Sequence, residues 1–387
     1  MYCYPWDLAG VELKPRFQLL RELGVSTLQL AVSYHAATFL MPNQPARLVF
    51  GAEPGAIYFE PSGRLFSGQG EITPHVAGTR FDLEELVESA AAAGLETTAW
   101  TVFCYNHSLA AVYPEHAVKS PFSEPHIAQL CPNSGATRDY FERLVAELTD
   151  NYRFKGIVFE SLSFLPFNYG WINPKESVVM PAELSRLLST CFCDSCLAIG
   201  ARHGLDGARI RAQVQAVCRR ELNRLPLPEG SAVSLSGLDV PAFERYRSSN
   251  RADLNLFHQE LLEHVRAAGL AVDSTATYDS PPPEVTGIEH SSLRHVVDSS
   301  RIAIRPDMTS DEVRSILNEK QAAFPSSRID VLLEPGDFGS RDSFLCTLAA
   351  CRSAGARNYR FYSLSTITEE QLDWLEAGKE YWSGPRT

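Results

Sequence analysis

Short apolar runs alternate with longer amphipathic stretches along the whole chain, and the two periods predict a repeating strand–helix order. Residues 2–7 read as the first strand. A helix opening near Pro15, a residue suited to a first turn, then places Phe17, Leu19, Leu20 and Leu23 on one side and stops at Gly24. Further strands are predicted at 27–32, 95–103, 156–160, 270–275, 301–305, 329–333 and 359–362. Between them the helical period recurs at 137–152, from 208 to 222, from 241 onward, at 254–268, before 323 and at 343–354. Three side-chain pairs three residues apart, Asp82 with Glu85, Thr309 with Glu312 and Thr368 with Gln371, mark helix starts, because each can satisfy the free amides of a first turn.

Eight strands alternating with helices predict an α/β fold of the (β/α)8 TIM-barrel type with long rim loops. A doubly wound open sheet is the alternative, but no glycine-rich phosphate loop follows the first strand. One barrel domain over 1–387 is expected, with rim insertions at about 36–80 and 161–250. The first is too long for a plain connection and reads as a functional loop or a small hairpin cap.

Composition narrows the class. With 387 residues, 44% of them hydrophobic, the chain can bury a large core. Its 35 basic against 47 acidic residues give a net charge of −12 without a basic run, which argues against nucleic acid or an anionic membrane as partner. No signal-like segment opens the sequence and no apolar stretch is long enough to span a bilayer, so a cytoplasmic protein is expected, with a homo-oligomer left open.

Nine cysteines do not make a disulfide set. Cys191, Cys193 and Cys196 form C-x-C-x-x-C, whose spacing lets one loop surround a soft cation, and zinc is the natural guest. A closed tetrahedral site needs a fourth donor. Cys131, followed by the turn-forming Pro-Asn-Ser, is preferred over Cys104, and a redox site is the alternative for the cluster.

In a barrel of this type the active site forms where the strands end. The predicted strand ends collect Asp7, Tyr34, His35, Asn106, His107, Glu160, Asp273, Arg305, Asp307, Glu334 and Tyr362. Glu160 and Glu334 each close an apolar run directly, and their strands, fourth and seventh, would face one another across the mouth. That suits glycoside hydrolysis by two carboxylates, one giving a proton to the leaving oxygen and the other attacking the anomeric carbon. Pairing of either carboxylate with a basic side chain of the barrel is the plainer reading. Phe164, Phe167, Tyr169 and Trp171 follow Glu160, and Trp171 is the preferred platform for a sugar face.

The order L-C-P-N-S at 130–134, helix, strand ending in Glu160 and then C-x-C-x-x-C resembles glycoside hydrolase family 42, the β-galactosidases of clan A, and related glycosidase-like barrels. The resemblance implies structural zinc on Cys131, Cys191, Cys193 and Cys196, with Glu160 as acid/base and Glu334 as nucleophile of a retaining enzyme acting on a saccharide or glycoside. Where that clan carries Asn before the acid/base, this chain has Phe159. Two rivals remain: a barrel that binds carbohydrate without cleaving it, and a sugar isomerase or lyase with a divalent metal on His35, His107 and mouth carboxylates.

Overall fold

A computed structural model describes every residue except 46, 67–71, 170–178, 229–230, 278–282 and 384–387. The protein is a mixed α/β structure around a central, mainly parallel sheet. Eight parallel strands form its body: β1 (Tyr2–Cys3), β2 (Thr27–Tyr34), β3 (Glu96–Val102), β4 (Gly156–Glu160), β5 (Ala271–Ser274), β6 (Ser299–Ala303), β7 (Arg328–Leu333) and β8 (Asn358–Phe361). Each pairs with the next in chain order from β1 to β8. The ladder is open between β8 and β1, where the Leu364 amide donates to the Tyr2 carbonyl at 3.0 Å. The principal helices are α1 (Leu13–Glu22), α2 (Leu83–Ala92), α3 (Gly135–Asn151), α4 (Ala182–Leu188), α5 (Asp194–Arg202), α6 (Gly207–Leu222), α7 (Val240–Ala267), α8 (Ser310–Ala323), α9 (Arg341–Ala354) and α10 (Glu369–Gly378).

Strand alternation divides the buried side chains into two sets. Leu28, Leu30, Ala99, Phe103, Ile157, Phe159, Ile302 and Ile304 join the large core shared with the helices. The opposite phase, Tyr2, Tyr4, Ala31, Trp100, Val102, Val158 and Leu332, makes a second and more aromatic cluster on the other face. Because successive strand side chains point to opposite faces, Glu160 falls in phase with Val158 on the aromatic side, while Phe159 stacks on Phe103 at 5.0 Å on the helical side. Gly156 permits the start of this register: a Cβ there would sit 2.5 Å from the Ala271 carbonyl oxygen of β5.

The capping signals act as predicted. Thr309 and Thr368 each accept the amide three residues on and their Glu312 and Gln371 reach back, while the Asp82 carboxylate accepts the Glu85 amide. Three expectations are corrected. Residues 5–7 form a 3-10 turn instead of continuing β1, since Pro5 removes an amide from any ladder. The sixth strand lies two residues earlier than its apolar run suggests. The helices expected from 241 onward and at 254–268 are one helix, α7, which starts after its cap at Asp239.

The excursion after β2 contains a hairpin, Ala37–Leu40 with Val49–Ala52, and two strands that extend the main sheet: Ala56–Phe59, antiparallel to β2, and Val76–Phe81 beside it. Phe39 and Phe50 on the hairpin pack on Trp6 with ring centroids 5.1 and 4.4 Å away, which anchors the hairpin over the mouth end of β1 and β2.

Candidate active site and cysteine cluster

Glu160 ends β4 as its last residue, and the following Ser161 turns the chain away with φ of 56°, a left-handed conformation that costs a non-glycine residue about 1–3 kcal/mol. The indole nitrogen of Trp100, one strand away, donates to Oε2 of Glu160 at 2.5 Å. Burial raises the Glu160 pKa above the ordinary carboxylate value, opposed by the Trp100 hydrogen bond and the charge of Arg301. A cavity of about 180 Å³ opens beside it, lined by Ser161, Tyr169, Thr275, Thr286 and Arg301 among others.

Glu334 follows the last residue of β7 and is exposed. Its pKa is also raised, by desolvation and then by the neighbouring Asp337, and Arg301 again opposes the rise. Arg301 therefore acts on both carboxylates. Both carboxylates in turn act on the hydroxyl of Tyr362, whose pKa is raised chiefly by burial. That hydroxyl lies 2.8 Å from the Tyr4 hydroxyl and 3.4 Å from that of Tyr34, and Tyr4 donates to Tyr34 at 2.9 Å. The C-terminal side of the sheet thus carries two carboxylates, one guanidinium and three linked phenols.

The remaining predicted residues divide. His35 stacks on Tyr34 at 4.1 Å, its Nδ1 lies 2.8 Å from the Ala36 carbonyl, and burial lowers its pKa to about 4, so the ring is neutral at physiological pH. His107 is half-buried near Tyr105, with a pKa lowered by desolvation and then by His35 and His126. Asn106 is engaged structurally, accepting the Leu109 amide as a helix cap and donating to the Gly55 carbonyl, both at 2.9 Å. Asp7 is buried with one oxygen on the Tyr4 amide at 2.8 Å and the other on the Ser365 hydroxyl, so it anchors the turn after β1. Arg305 and Asp307 pair with each other at 3.6 Å and are largely exposed. Asp273 lies deeper in β5, paired with Arg360 at 2.6 Å. Trp171 lies outside the described residues.

Reading by strand ends missed Arg301 and Trp100. Their signal was present in the alternation: Ile302 and Ile304 face the helices, which turns Arg301 to the opposite face, and Ala99 and Phe103 do the same for Trp100.

The four cysteines converge. Cys131, Cys191, Cys193 and Cys196 are buried with all sulfur atoms within 4.8 Å of one another. Cys131 Sγ lies 3.5 Å from Cys193, 3.7 Å from Cys196 and 3.9 Å from Cys191. Disulfides need about 2.05 Å. A tetrahedron of thiolates about 2.3 Å from a central ion has edges of about 3.8 Å, so the cluster fits a metal ion with four sulfur ligands. Its surroundings suit thiolates: the Lys119 and Cys193 amides approach Cys191 Sγ, both at 3.5 Å, and Asn133 Nδ2 approaches Cys196 Sγ at 3.8 Å. Cys104 is buried elsewhere and is not in the group. Among the described residues no other set of three or more His, Cys, Asp or Glu donors comes together.

No protein-family model and no curated protein sequence matches the chain. Solved structures do match its fold. The PgaB (BpsB) glycoside hydrolase domain from Bordetella bronchiseptica superposes with a TM-score of 0.61 at 13% identity, over 100% of this chain and 98% of that one. The β-galactosidase of the psychrophilic Marinomonas ef1 gives 0.56 at 9% identity, over 98% and 58%. The catalytic domain of β-amylase from Paenibacillus polymyxa gives 0.51 at 13%, over 98% and 96%. The chain therefore has a glycosidase-type fold. The likeness is to glycoside hydrolase folds as a group and does not single out family 42. Among the described residues no helix is long and apolar enough to cross a membrane.

Proposed function

We propose that this protein is a retaining glycoside hydrolase on a single (β/α)8 barrel, with Glu160 as acid/base and Glu334 as nucleophile. The observation that carries the reading is the placement of the carboxylates: Glu160 ends β4 beside a cavity that Arg301 also lines, and Glu334 follows β7 directly, with the pKa of each raised by burial and opposed by Arg301. Barrel closure is supported by the contacts across the open seam, Leu364 to Tyr2 and Tyr4 to Tyr362.

In the first step the Glu334 carboxylate attacks the anomeric carbon, the glycosidic C–O bond breaks, and Glu160 gives its proton to the leaving oxygen. In the second, Glu160 takes a proton from water as that water displaces Glu334 from the sugar. The raised pKa of Glu160 suits the acid role, and Arg301 favours the ionised form that Glu334 needs. A metal held by the four cysteines, which we assign as zinc, would be structural: four thiolates close its shell and leave no open position. It would tie the loop before α3 to the segment after α4. The clustered free thiols also fit a reducing, cytoplasmic setting.

The test is a panel of aryl glycosides of varied sugars and both anomers, with product stereochemistry followed by NMR. Turnover with retention that disappears in Glu160→Gln is the expected result. Binding without turnover across the panel would replace this reading with a carbohydrate-binding barrel.

A further inference from the structure

A second depression of about 460 Å³ lies on the β2 and β8 side of the mouth, between the cap hairpin and the segment after β8. Its walls include Tyr34, His35, Phe39, Leu40 and Pro42 on one side and Tyr362 with Thr366 on the other. Among the described residues no Asp, Glu, Lys or Arg lines it, although the chain is 21% charged. Its histidine is held neutral by burial. The smaller cavity beside Glu160, by contrast, holds both that carboxylate and Arg301.

Two features tie this groove to the proposed chemistry. Tyr34 and Tyr362 form part of its wall, and the hydroxyls of both lie in the field of Glu160. The hairpin that closes its outer side is anchored inward by Phe39 and Phe50, yet presents Leu40 and its cross-strand partner Val49 outward at 61% and 55% exposure. Leu48 beside them is 60% exposed. Exposed apolar side chains grouped at the edge of a cleft mark a contact surface more often than chance scatter.

We propose that the groove between the cap hairpin and the segment after β8 is the leaving-group subsite of this enzyme, and that it takes an uncharged aromatic aglycone. The inference rests on the hydrolase reading for the word leaving, but the contact itself does not depend on turnover. An aryl ring would meet the Leu40 and Pro42 side chains and the Tyr34–His35 stack, while the glycone occupies the polar cavity beside Glu160.

Saturation-transfer NMR separates the two claims. The probes are phenyl and methyl glycosides of glucose, galactose and N-acetylglucosamine, with cellobiose, lactose and chitobiose as controls. The protein is compared with Leu40→Ser and with Thr366→Arg, both at exposed positions, after thermal melts confirm that each variant folds. The expected result is saturation of the phenyl protons by the unsubstituted protein, at least threefold weaker in both variants, with methyl glycosides unchanged. Equal phenyl saturation in all three proteins, or none with any phenyl glycoside, overturns the subsite. Leu40-dependent saturation of a disaccharide's second ring without a phenyl signal also overturns it, in favour of a second sugar. Leu40-dependent phenyl contact without hydrolysis of any probe would support the subsite and count against the hydrolase reading alone.

Discussion

The indole of Trp100 donates a hydrogen bond to Oε2 of Glu160 across the β3–β4 pair. The bond stabilises the carboxylate form against the burial that raises its pKa. Trp100→Phe keeps the packing and removes the donor, so the Glu160 pKa should rise further. A general acid works while protonated and fails as pH rises through its pKa. The alkaline limb of kcat/KM should therefore move to higher pH in the variant, and an unmoved limb would separate Glu160 from the acid role.

If Glu334 is the nucleophile proposed above, Glu334→Gln should lower turnover by at least the ~10²–10⁴-fold typical of losing one group in proton transfer, since a bond-forming group would be lost. In Glu334→Gly, whose missing side chain leaves room, added azide should restore part of the turnover, with inverted product, by entering the space of the missing carboxylate. Glu160→Gln should harm glycosides with poor leaving groups far more than activated phenyl glycosides, because only the former need a proton on the departing oxygen. Steady-state kinetics over a leaving-group series reads both.

Elemental analysis should find one zinc per chain. Cys131→Ser, or prolonged chelation, should lower the melting temperature by several degrees while leaving Glu160 and Glu334 in place, because a metal on these four thiols would tie two loops together. Absence of zinc in freshly purified protein would remove this assignment.

Asp7 offers a pH test of stability. Burial raises its pKa to about 7, with the Ser365 and Tyr4 hydrogen bonds opposing the rise. Its folded value therefore lies above the unfolded value of about 3.9, and the folded state favours the protonated form. The group weakens the fold progressively as pH climbs from about 4 toward 7, by an amount on the order of a few kcal/mol. Asp7→Asn removes that ionisation. Relative to the unsubstituted protein it should gain stability between pH 5 and pH 8, measured by denaturant unfolding, and a constant difference across that range would contradict the buried-carboxyl account.

The helices were largely legible because their signals are local. Asp82, Thr309 and Thr368 cap the first turns they precede, and Gly355 ends α9 in the left-handed conformation expected of a helix stop. The β4 strand was read at its observed bounds because a purely apolar run ends at a carboxylate. Strand β6 was misplaced by two residues because Ile302, Ile304 and the flanking arginines look alike from either end of the run. That shift made Arg305, which is exposed, seem the strand-end residue and hid Arg301. The long α7 was split because Asn250, Arg251 and Asp253 interrupt the apolar stripe, but tertiary contacts use those positions: Asn250 accepts from Asn133, and Asp253 pairs with Arg138.

By itself, the sequence determined the alternation of strands and helices, the thiol triplet and the carboxylates that end β4 and follow β7, since each is written in residues close together along the chain. Only the tertiary structure decided that Cys131 meets the triplet from 60 residues away, measured to Cys191. It alone brought Arg301 to bear on Glu160 and Glu334, and Trp100 onto Glu160. It also turned Asp7 and Asn106 into structural anchors. The reason is physical: periodicity fixes which face of an element a side chain occupies, whereas its partner is set by the register of neighbouring strands, and register depends on packing between residues far apart in the chain.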